Sequence, residues 1–386
     1  MKEYTTNLIR NVALAGHLSA GKTMLTEAFL HFTGATTRLG RIEDGTTVSD
    51  FDEEEIRRKI SLYSSVIPVE YKDHKINFLD TPGYADFVGE VISALRVSDA
   101  AIMLVDSVAG LEVGTEIAWQ HCNTFKLPRF VVINKMEREN ANFQKALASV
   151  QEFSDIRLIP IQLPWGEKAE FKGVIDLLTM KAYKGDGRTA VEIPAEFQSA
   201  AEEARMALVE AAAEGDDTLL EKYLETGELT SEEVLKGLKS VVKSSNYIPV
   251  LVSSGTLEFG LAPILDAIIN LFPSPAEVGP AMAQGKDGED NLLPSDSGPL
   301  AAYVWKTTAD PFVGRLTYFR VYSGVMASDG RVWNQTKSVE ERFGTLQQPR
   351  GKENAPAKVF HVGDIGAVSK LAETSTGNTL CDRTHP

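Results

Sequence analysis

Eight residues, Gly16-His17-Leu18-Ser19-Ala20-Gly21-Lys22-Thr23, fit the spacing G-x-x-x-x-G-K-[ST]. In such a loop the backbone N–H groups wrap phosphate oxygens, and the following helix points its positive end at them. Lys22 adds a full charge, and Thr23 offers a hydroxyl to a Mg²⁺ ion. A second group, Asp80-Thr81-Pro82-Gly83, supplies a carboxylate able to hold Mg²⁺ through water and a Gly83 N–H placed to sense a γ-phosphate. A third, Asn134-Lys135-Met136-Glu137, approximates N-K-x-D, in which a carboxylate accepts two N–H bonds from guanine that adenine cannot offer. Here the carboxylate is Glu137, one methylene longer than aspartate. A fourth, Ser253-Ser254-Gly255, is suited to giving a backbone N–H to guanine O6. The order of these groups points to a guanine-nucleotide switch rather than an ATPase or metabolic kinase.

Each group follows a short apolar run, as positioning requires. The runs are Asn11–Ala15, Ile76–Leu79, Ala101–Val105, Phe130–Ile133 and Ile248–Val252. Helical spacing lies between them, as in Met24, Leu25, Ala28 and Phe29, or Phe87, Val88, Val91, Ile92 and Leu95. Apolar strands alternating with helices predict a mostly parallel sheet covered on both faces, with ligands beyond the carboxyl ends of the strands. The pattern breaks between about 160 and 246. There, two expected strands, Gly173–Asp176 and Lys181–Tyr183, precede a helical stretch, and no chemical constellation is visible. Its last helix opens on a Thr230/Glu233 capping box and carries the stripe Val234, Leu235, Leu238, Val241, Val242. The α/β pattern resumes afterwards with Ile248–Val252 and a helix over Pro263–Phe272, ended by Pro273-Ser274-Pro275. The segment is therefore read as an α+β subdomain inserted between the fourth and fifth strands of the sheet.

Glu277–Ser297, rich in Gly, Asp, Pro and Ser, reads as a linker. Strand-like segments Leu300–Lys306, Arg315–Tyr322, Val332-Trp333, Val359–Val362 and Ala367-Val368 follow, with a turn at Asp329-Gly330. They predict an all-β barrel, which would leave few strand edges exposed. The expected organisation is thus a P-loop α/β domain over 1–159 and 247–276, the insertion over 160–246, the linker over 277–298 and the barrel over 299–386.

Composition narrows the classes. The chain has 386 residues, 43 % hydrophobic and 24 % charged, with a formal charge of −15, which disfavours broad adhesion to nucleic acid or anionic lipid. Two cysteines, Cys122 and Cys381, without a CxxC, argue against structural zinc or a disulfide framework. Met1–Thr6 leaves no room for a signal peptide, and the longest apolar run, Ala100–Val105, is too short to span a bilayer. A cytoplasmic monomer with no membrane partner is expected. His17 reads as a packing residue of the loop, His121 and Cys122 as core or rim, and Asp52-Glu53-Glu54-Glu55 as a solvated run.

With these motifs in place, the sequence resembles the translational GTPases, and within them elongation factor G. The resemblance extends to Ala141-Asn142-Phe143, Gly173–Leu177, Met180–Tyr183, Leu220–Leu224 and Leu271–Pro275, and to Ala309–Thr317 with Arg320–Gly324 opening the family's second domain. It implies GTP or GDP with Mg²⁺ as ligands, the ribosome (rRNA and ribosomal proteins) as partner, and further domains beyond Pro386, so that the chain is expected to be an amino-terminal fragment. It also implies three departures. Arg58-Lys59-Ile60-Ser61 stands where the family has R-G-I-T, so Ser61 replaces the threonine that closes over Mg²⁺ and the γ-phosphate. Tyr84 stands where the family's histidine positions the attacking water, and Glu137 replaces aspartate. A phenol can hold a water through one hydrogen bond but cannot act as an imidazolium. The resemblance thus makes Lys22, Gly83 and Tyr84 the catalytic set and Thr23, Ser61 and Asp80 the metal set. It implies a GTPase weak without the ribosome, serving translocation or ribosome disassembly. Tyr84 keeps open a slow or non-hydrolysing ribosome-binding regulator, or a ribosome-protection factor.

Overall fold

The computed structural model describes residues 1–285, 288–310 and 314–386, with no side-chain statement for Asp310. The chain opens with β1 (Ile9–Gly16), α1 (Lys22–Phe32) and, after a long irregular segment, α2 (Glu53–Arg58). Then come β2 (Ser65–Tyr71), β3 (His74–Asp80), α3 (Val88–Arg96), β4 (Ala100–Asp106), α4 (Val113–Thr124), β5 (Arg129–Asn134), α5 (Phe143–Phe153) and β6 (Arg157–Pro160). A second, four-stranded sheet follows from β7 (Gln162–Trp165), β8 (Gly173–Asp176), β9 (Lys181–Lys184) and β10 (Thr189–Val191). Helices α6 (Ala195–Ala213), α7 (Asp217–Thr226) and α8 (Ser231–Lys243) lead back to β11 (Tyr247–Val252), α9 (Leu261–Leu271) and the short α10 (Pro275–Val278).

The main sheet has seven strands in the order β2-β3-β1-β4-β5-β11-β6. All neighbours are parallel except β2 and β3. Every residue of β1 and β4 is buried, the signature of strands covered on both faces. Alternation divides them: Val12 and Leu14 face a core shared with α1 and α9, while Ala13 and Ala15 face one shared with α3, α4 and α5. The chain crosses over β1 on its way from β3 to β4. The phosphate loop follows the strand at that reversal, where open α/β sheets bind ligands.

Two strands of this sheet escape the apolar-run reading. Strand β2 begins Ser65 and contains Pro68, which an edge strand tolerates, and β6 is only four residues long. The inserted segment therefore lies between β6 and β11, not between the fourth and fifth strands. Its helices are not a separate body: Ala201, Leu208, Val234, Leu238 and Val241 belong to the same buried core as α1 and β1. The Thr230/Glu233 capping box is present, and Leu235 of the expected stripe is partly buried.

The expected linker is also more structured than its composition suggests. Ser274 and Glu277 cap α10, and β12 (Ala281–Gly285) pairs with β13 (Gly288–Leu292) as an antiparallel hairpin. The last region contains β14 (Ala301–Asp310), β15 (Gly314–Ser323), β16 (Met326–Ala327), β17 (Arg331–Asn334) and β18 (Val339–Arg342). It ends with β19 (Leu346–Arg350), β20 (Glu353–Ala357), β21 (Val359–Phe360), β22 (Ile365–Ser369) and β23 (Thr379–Cys381). Eight of these form an antiparallel sheet, β18-β17-β23-β14-β15-β22-β19-β20, around a core that includes Val304, Phe319, Val321 and Leu380. Strands β16 and β21 form a separate pair.

The all-β unit is joined to the α/β unit by buried polar groups. Lys75 Nζ lies 2.8 Å from Asp364 Oδ2, both nearly inaccessible. Asn77 Nδ2 donates to Asp364 (3.1 Å) and to Asn11 Oδ1 (2.9 Å). Asn11 Nδ2 donates to Asp99 (2.8 Å) and to the Gly363 carbonyl, and Arg320 pairs with Asp99. An apolar patch runs alongside, where Val66, Leu79, Ala94 and Val97 meet Trp305, Leu316 and Tyr318. The asparagines within the apolar strands β1 and β3 are thus junction residues.

Candidate functional site

The phosphate loop is held open by three left-handed positions: Gly16 (φ 143°), Ser19 (φ 59°) and Gly21 (φ 101°). Gly16 and Gly21 also lack room for a side chain. A Cβ on Gly16 would sit 2.5 Å from the Leu104 carbonyl oxygen, and one on Gly21 would sit 2.4 Å from Asn134 Nδ2. Lys22 is buried at the start of α1, and its ammonium donates to the loop carbonyls of Gly16 (2.9 Å) and His17 (3.0 Å). Burial lowers its pKa to about 8, against the pull of Asp80 and Asp50. Those two carbonyl bonds occupy donors that phosphate oxygens would take. Leu18 and Ala20 complete the turn, closed by Ala20 N–H to His17 C=O.

His17 does more than pack. Its Nδ1 accepts from the Gly114 N–H (3.1 Å), its Nε2 faces Glu112 at 3.5 Å, and its N–H donates to the Thr115 hydroxyl. The loop is therefore tied to the start of α4.

Thr23, Ser61 and Asp80, the expected metal set, lie close together. The Thr23 and Ser61 hydroxyl oxygens are 3.2 Å apart. Adjacent ligands on an octahedral Mg²⁺ with bonds of ~2.1 Å would be ~3 Å apart, so the pair has the spacing of two cis ligands. Both Asp80 carboxylate oxygens are buried with no well-formed hydrogen bond, although the Thr23 and Ser49 hydroxyls lie near them. Burial pushes that carboxyl up to about 6, opposed by the Thr23 hydroxyl and the Lys22 ammonium. A buried anion so weakly partnered is costly unless a cation or its water shell satisfies it. The residues present therefore fit a divalent ion.

Sequence reading missed two carboxylates beside this set. Asp50 is buried with one unpartnered oxygen; burial and then the Asp80 charge push it up to about 7. Glu27 on α1 accepts from the Val48 N–H at 2.6 Å, holding the irregular segment, and burial raises it to about 7. Nothing in their local sequence marks either one. Folded Glu27 keeps its proton more tightly than the unfolded chain, whose value is 4.5. Its contribution to stability is therefore full below about pH 4.5 and is lost as the pH rises through about 7, with Asp50 and Asp80 acting in the same direction. Glu27→Gln is expected to flatten this fall, read as urea-unfolding stability at about pH 5 and about pH 7. An unchanged slope would refute the assignment.

The acidic run at 52–55 is not simply solvated. Asp52 and Glu55 form a capping box on α2, and buried Glu55 also accepts from the Leu62 (2.9 Å) and Tyr63 (3.1 Å) N–H groups. This folds the segment back toward Ser61.

Thr81 anchors the second motif by donating to the Leu14 carbonyl (2.6 Å). Pro82 then turns the chain so that Gly83 presses on the phosphate loop. A Cβ there would lie 2.6 Å from Leu18 N and 2.7 Å from Lys22 Nζ. Tyr84 is 39 % exposed and its hydroxyl has no hydrogen bond among the described residues. It borders an apolar recess with Val88, Val91 and Ile117.

The third and fourth motifs form one knot. Asn134 Nδ2 donates to Ala20 C=O (3.0 Å), while its Oδ1 accepts from the Ser253 hydroxyl (2.9 Å) and the Gly255 N–H (3.1 Å). Lys135, at φ 64°, reaches Ser19 C=O and Asp106 (3.0 Å). Met136 is fully buried. The Ser253 N–H is taken by the Ile133 carbonyl of β5, the Ser254 N–H by the Phe259 carbonyl across the turn after β11, and the Gly255 N–H by the Asn134 side chain. The backbone donor expected for guanine O6 at 253–255 is thus not free, so a guanine O6 would have to share one of them. Glu137 Oε2, by contrast, is buried and unpartnered.

A glycine-bearing loop between a buried parallel strand and a helix, with the buried Asp80 carboxylate beside its lysine and threonine, defines a P-loop nucleotide-switch protein. Residues 7–274 match the family model of the elongation factor Tu GTP binding domain, and residues 299–383 match elongation factor G domain 2. A crystal structure of a protein from Thermus thermophilus is similar, at 34 % identity and a TM-score of 0.87, over 97 % of this chain and 54 % of that one. The chain belongs to the translational GTPases of the elongation factor G type. It spans about half the length of that solved relative. No helix among the described residues is long and apolar enough to cross a membrane.

Proposed function

We propose that this chain binds GTP and GDP with Mg²⁺ and hydrolyses GTP to GDP and phosphate while acting on the ribosome as a monomer in the cytoplasm. One observation carries the reading: the Asp80 carboxylate is buried beside Lys22 and Thr23 of the phosphate loop, and Glu137 of the third motif also has a buried carboxylate oxygen without a partner. The Glu137 carboxylate suits the N1 and N2 donors of guanine, with Asn134, Lys135, Met136, Ser253, Ser254 and Gly255 framing the base. Thr23 and Ser61 would ligate Mg²⁺ directly and Asp80 through water. The bound ion would neutralise charge on the β- and γ-phosphates.

The chain's own residues do the rest. Residues Gly16–Thr23 cradle the phosphates through backbone N–H groups, and Lys22 exchanges its two carbonyl partners for phosphate oxygens. Gly83, pressed against Leu18, offers its N–H to the γ-phosphate. Thr81 and Pro82 hold that glycine in place. The Tyr84 hydroxyl, exposed and unbonded, can hold a water by one hydrogen bond, which supports hydrolysis that is weak until the ribosome orders the segment. The same exposure supports a second reading, a GTP-dependent ribosome regulator or protection factor that hydrolyses slowly or not at all.

Nucleotide competition tests the base assignment: GDP and GTP should outcompete ATP by about tenfold or more, since losing a bond to a charged group costs about 1.5–3 kcal/mol. Equal competition would overturn it. Single-turnover hydrolysis with and without ribosomes separates the two readings, with stimulation supporting the enzyme and its absence the regulator.

A further inference from the structure

Strand β14 carries a β-bulge where it faces the α/β unit. Val304 pairs with Phe319 and Lys306 with Tyr318, so Trp305 is the extra residue. Regular alternation would send Val304 and Lys306 to the same side, into the barrel core that holds Ala302 and Val304. The bulge shifts the phase. Trp305 joins the interface patch, and Lys306 also turns toward the α/β unit.

There the Lys306 ammonium, nearly inaccessible, donates to the Ser64 carbonyl (2.7 Å) and to Glu90 Oε2 (2.9 Å). The same Glu90 oxygen accepts the Ser64 N–H (2.7 Å), and the Ser64 hydroxyl donates to the Glu90 carbonyl (3.0 Å). The ammonium also lies over the Tyr63 ring, 5.2 Å from its centre. Ser64 is thus held through its N–H, its C=O and its hydroxyl. It stands three residues after Ser61, whose hydroxyl is 3.2 Å from that of Thr23. Glu90 lies on α3, the helix that follows Gly83 and Tyr84.

We propose that Lys306 is a positioning residue supplied by the barrel, which holds Ser61 over the metal and γ-phosphate side of the site and links that closure to α3 through Ser64 and Glu90. The inference rests on the GTP-switch reading above. Breaking the knot frees Ser61 and α3 to move apart. It should therefore weaken the nucleotide that needs Ser61 and leave the other nearly alone. Lys306 touches neither nucleotide nor metal, and acts through Ser64.

The test uses the full 386-residue chain with Lys306→Met, Lys306→Arg and Glu90→Gln. Binding of a non-hydrolysable GTP analogue and of GDP is measured by displacement of a fluorescent nucleotide. Lys306→Met is expected to weaken the analogue roughly tenfold while changing GDP less than about twofold, a coupling of ordinary size. Retained GDP binding reports that the variant is folded. Lys306→Arg should recover most of the loss, and Glu90→Gln added to Lys306→Met should do less than Glu90→Gln alone. Equal weakening of both nucleotides, or no change in either, would overturn the proposal while leaving the switch reading intact. A wild-type chain that binds neither nucleotide would overturn both.

Discussion

Lys22→Met is expected to weaken GDP and GTP alike by on the order of 100-fold or more while the chain stays folded. Two hydrogen bonds from one ammonium now go to Gly16 and His17 carbonyls, so the site has room for two bonds to phosphate. Charged hydrogen bonds of about 1.5–3 kcal/mol each, lost together, amount to roughly two to four orders of magnitude in affinity. The fold should tolerate the change, because the methionine stem fills the same space and the ammonium is buried at a cost that already lowers its pKa to about 8. Titration calorimetry with circular dichroism on the same sample reads both quantities. Affinity within about threefold of wild type would mean that the phosphates lie elsewhere.

Asp364→Ala is expected to destabilise the chain by about 3–5 kcal/mol, because it leaves the Lys75 ammonium buried without its counter-charge. Asn77 and the Ile365 N–H lose an acceptor as well. The paired change Lys75→Met with Asp364→Leu should restore most of the loss, since well-packed apolar residues often replace a buried ion pair without penalty. Chemical denaturation of the wild type, Lys75→Met, Asp364→Leu and the paired variant gives the coupling directly. A single change costing under about 1 kcal/mol would show that water reaches this pair.

The nucleotide end of the molecule was largely legible because it is built from local motifs. Gly16–Thr23, Asp80–Gly83 and Asn134–Glu137 each occupy one strand end, where residue type and spacing carry the chemistry. What escaped was set by tertiary partners. Strand β2 was hidden because Ser65 and Pro68 break its apolar run, and β6 because four residues carry no period. Asp50 and Glu27 gain their importance from burial, which no local pattern announces. The engaged N–H groups at 253–255 follow from tertiary partners, the Ile133 carbonyl, the Phe259 carbonyl and the Asn134 side chain, that the letters Ser-Ser-Gly permit but do not require. Asn11 and Asn77 did leave a signal, as polar residues inside apolar strands, and that signal pointed to the junction rather than to the ligand.

The polar seam under β1 and β3 bears on how the molecule comes apart. The Gly, Pro and Ser content near residue 290 marks the most obvious place to cut the chain, yet the pieces on either side share Lys75, Asp364, Asn11, Asp99 and Arg320 in one buried network. Severing the covalent link would leave that stitching in place, so a nicked chain should behave as a tightly held complex of two fragments. Expressing either fragment alone would instead expose unpaired charges on a face made to be dry.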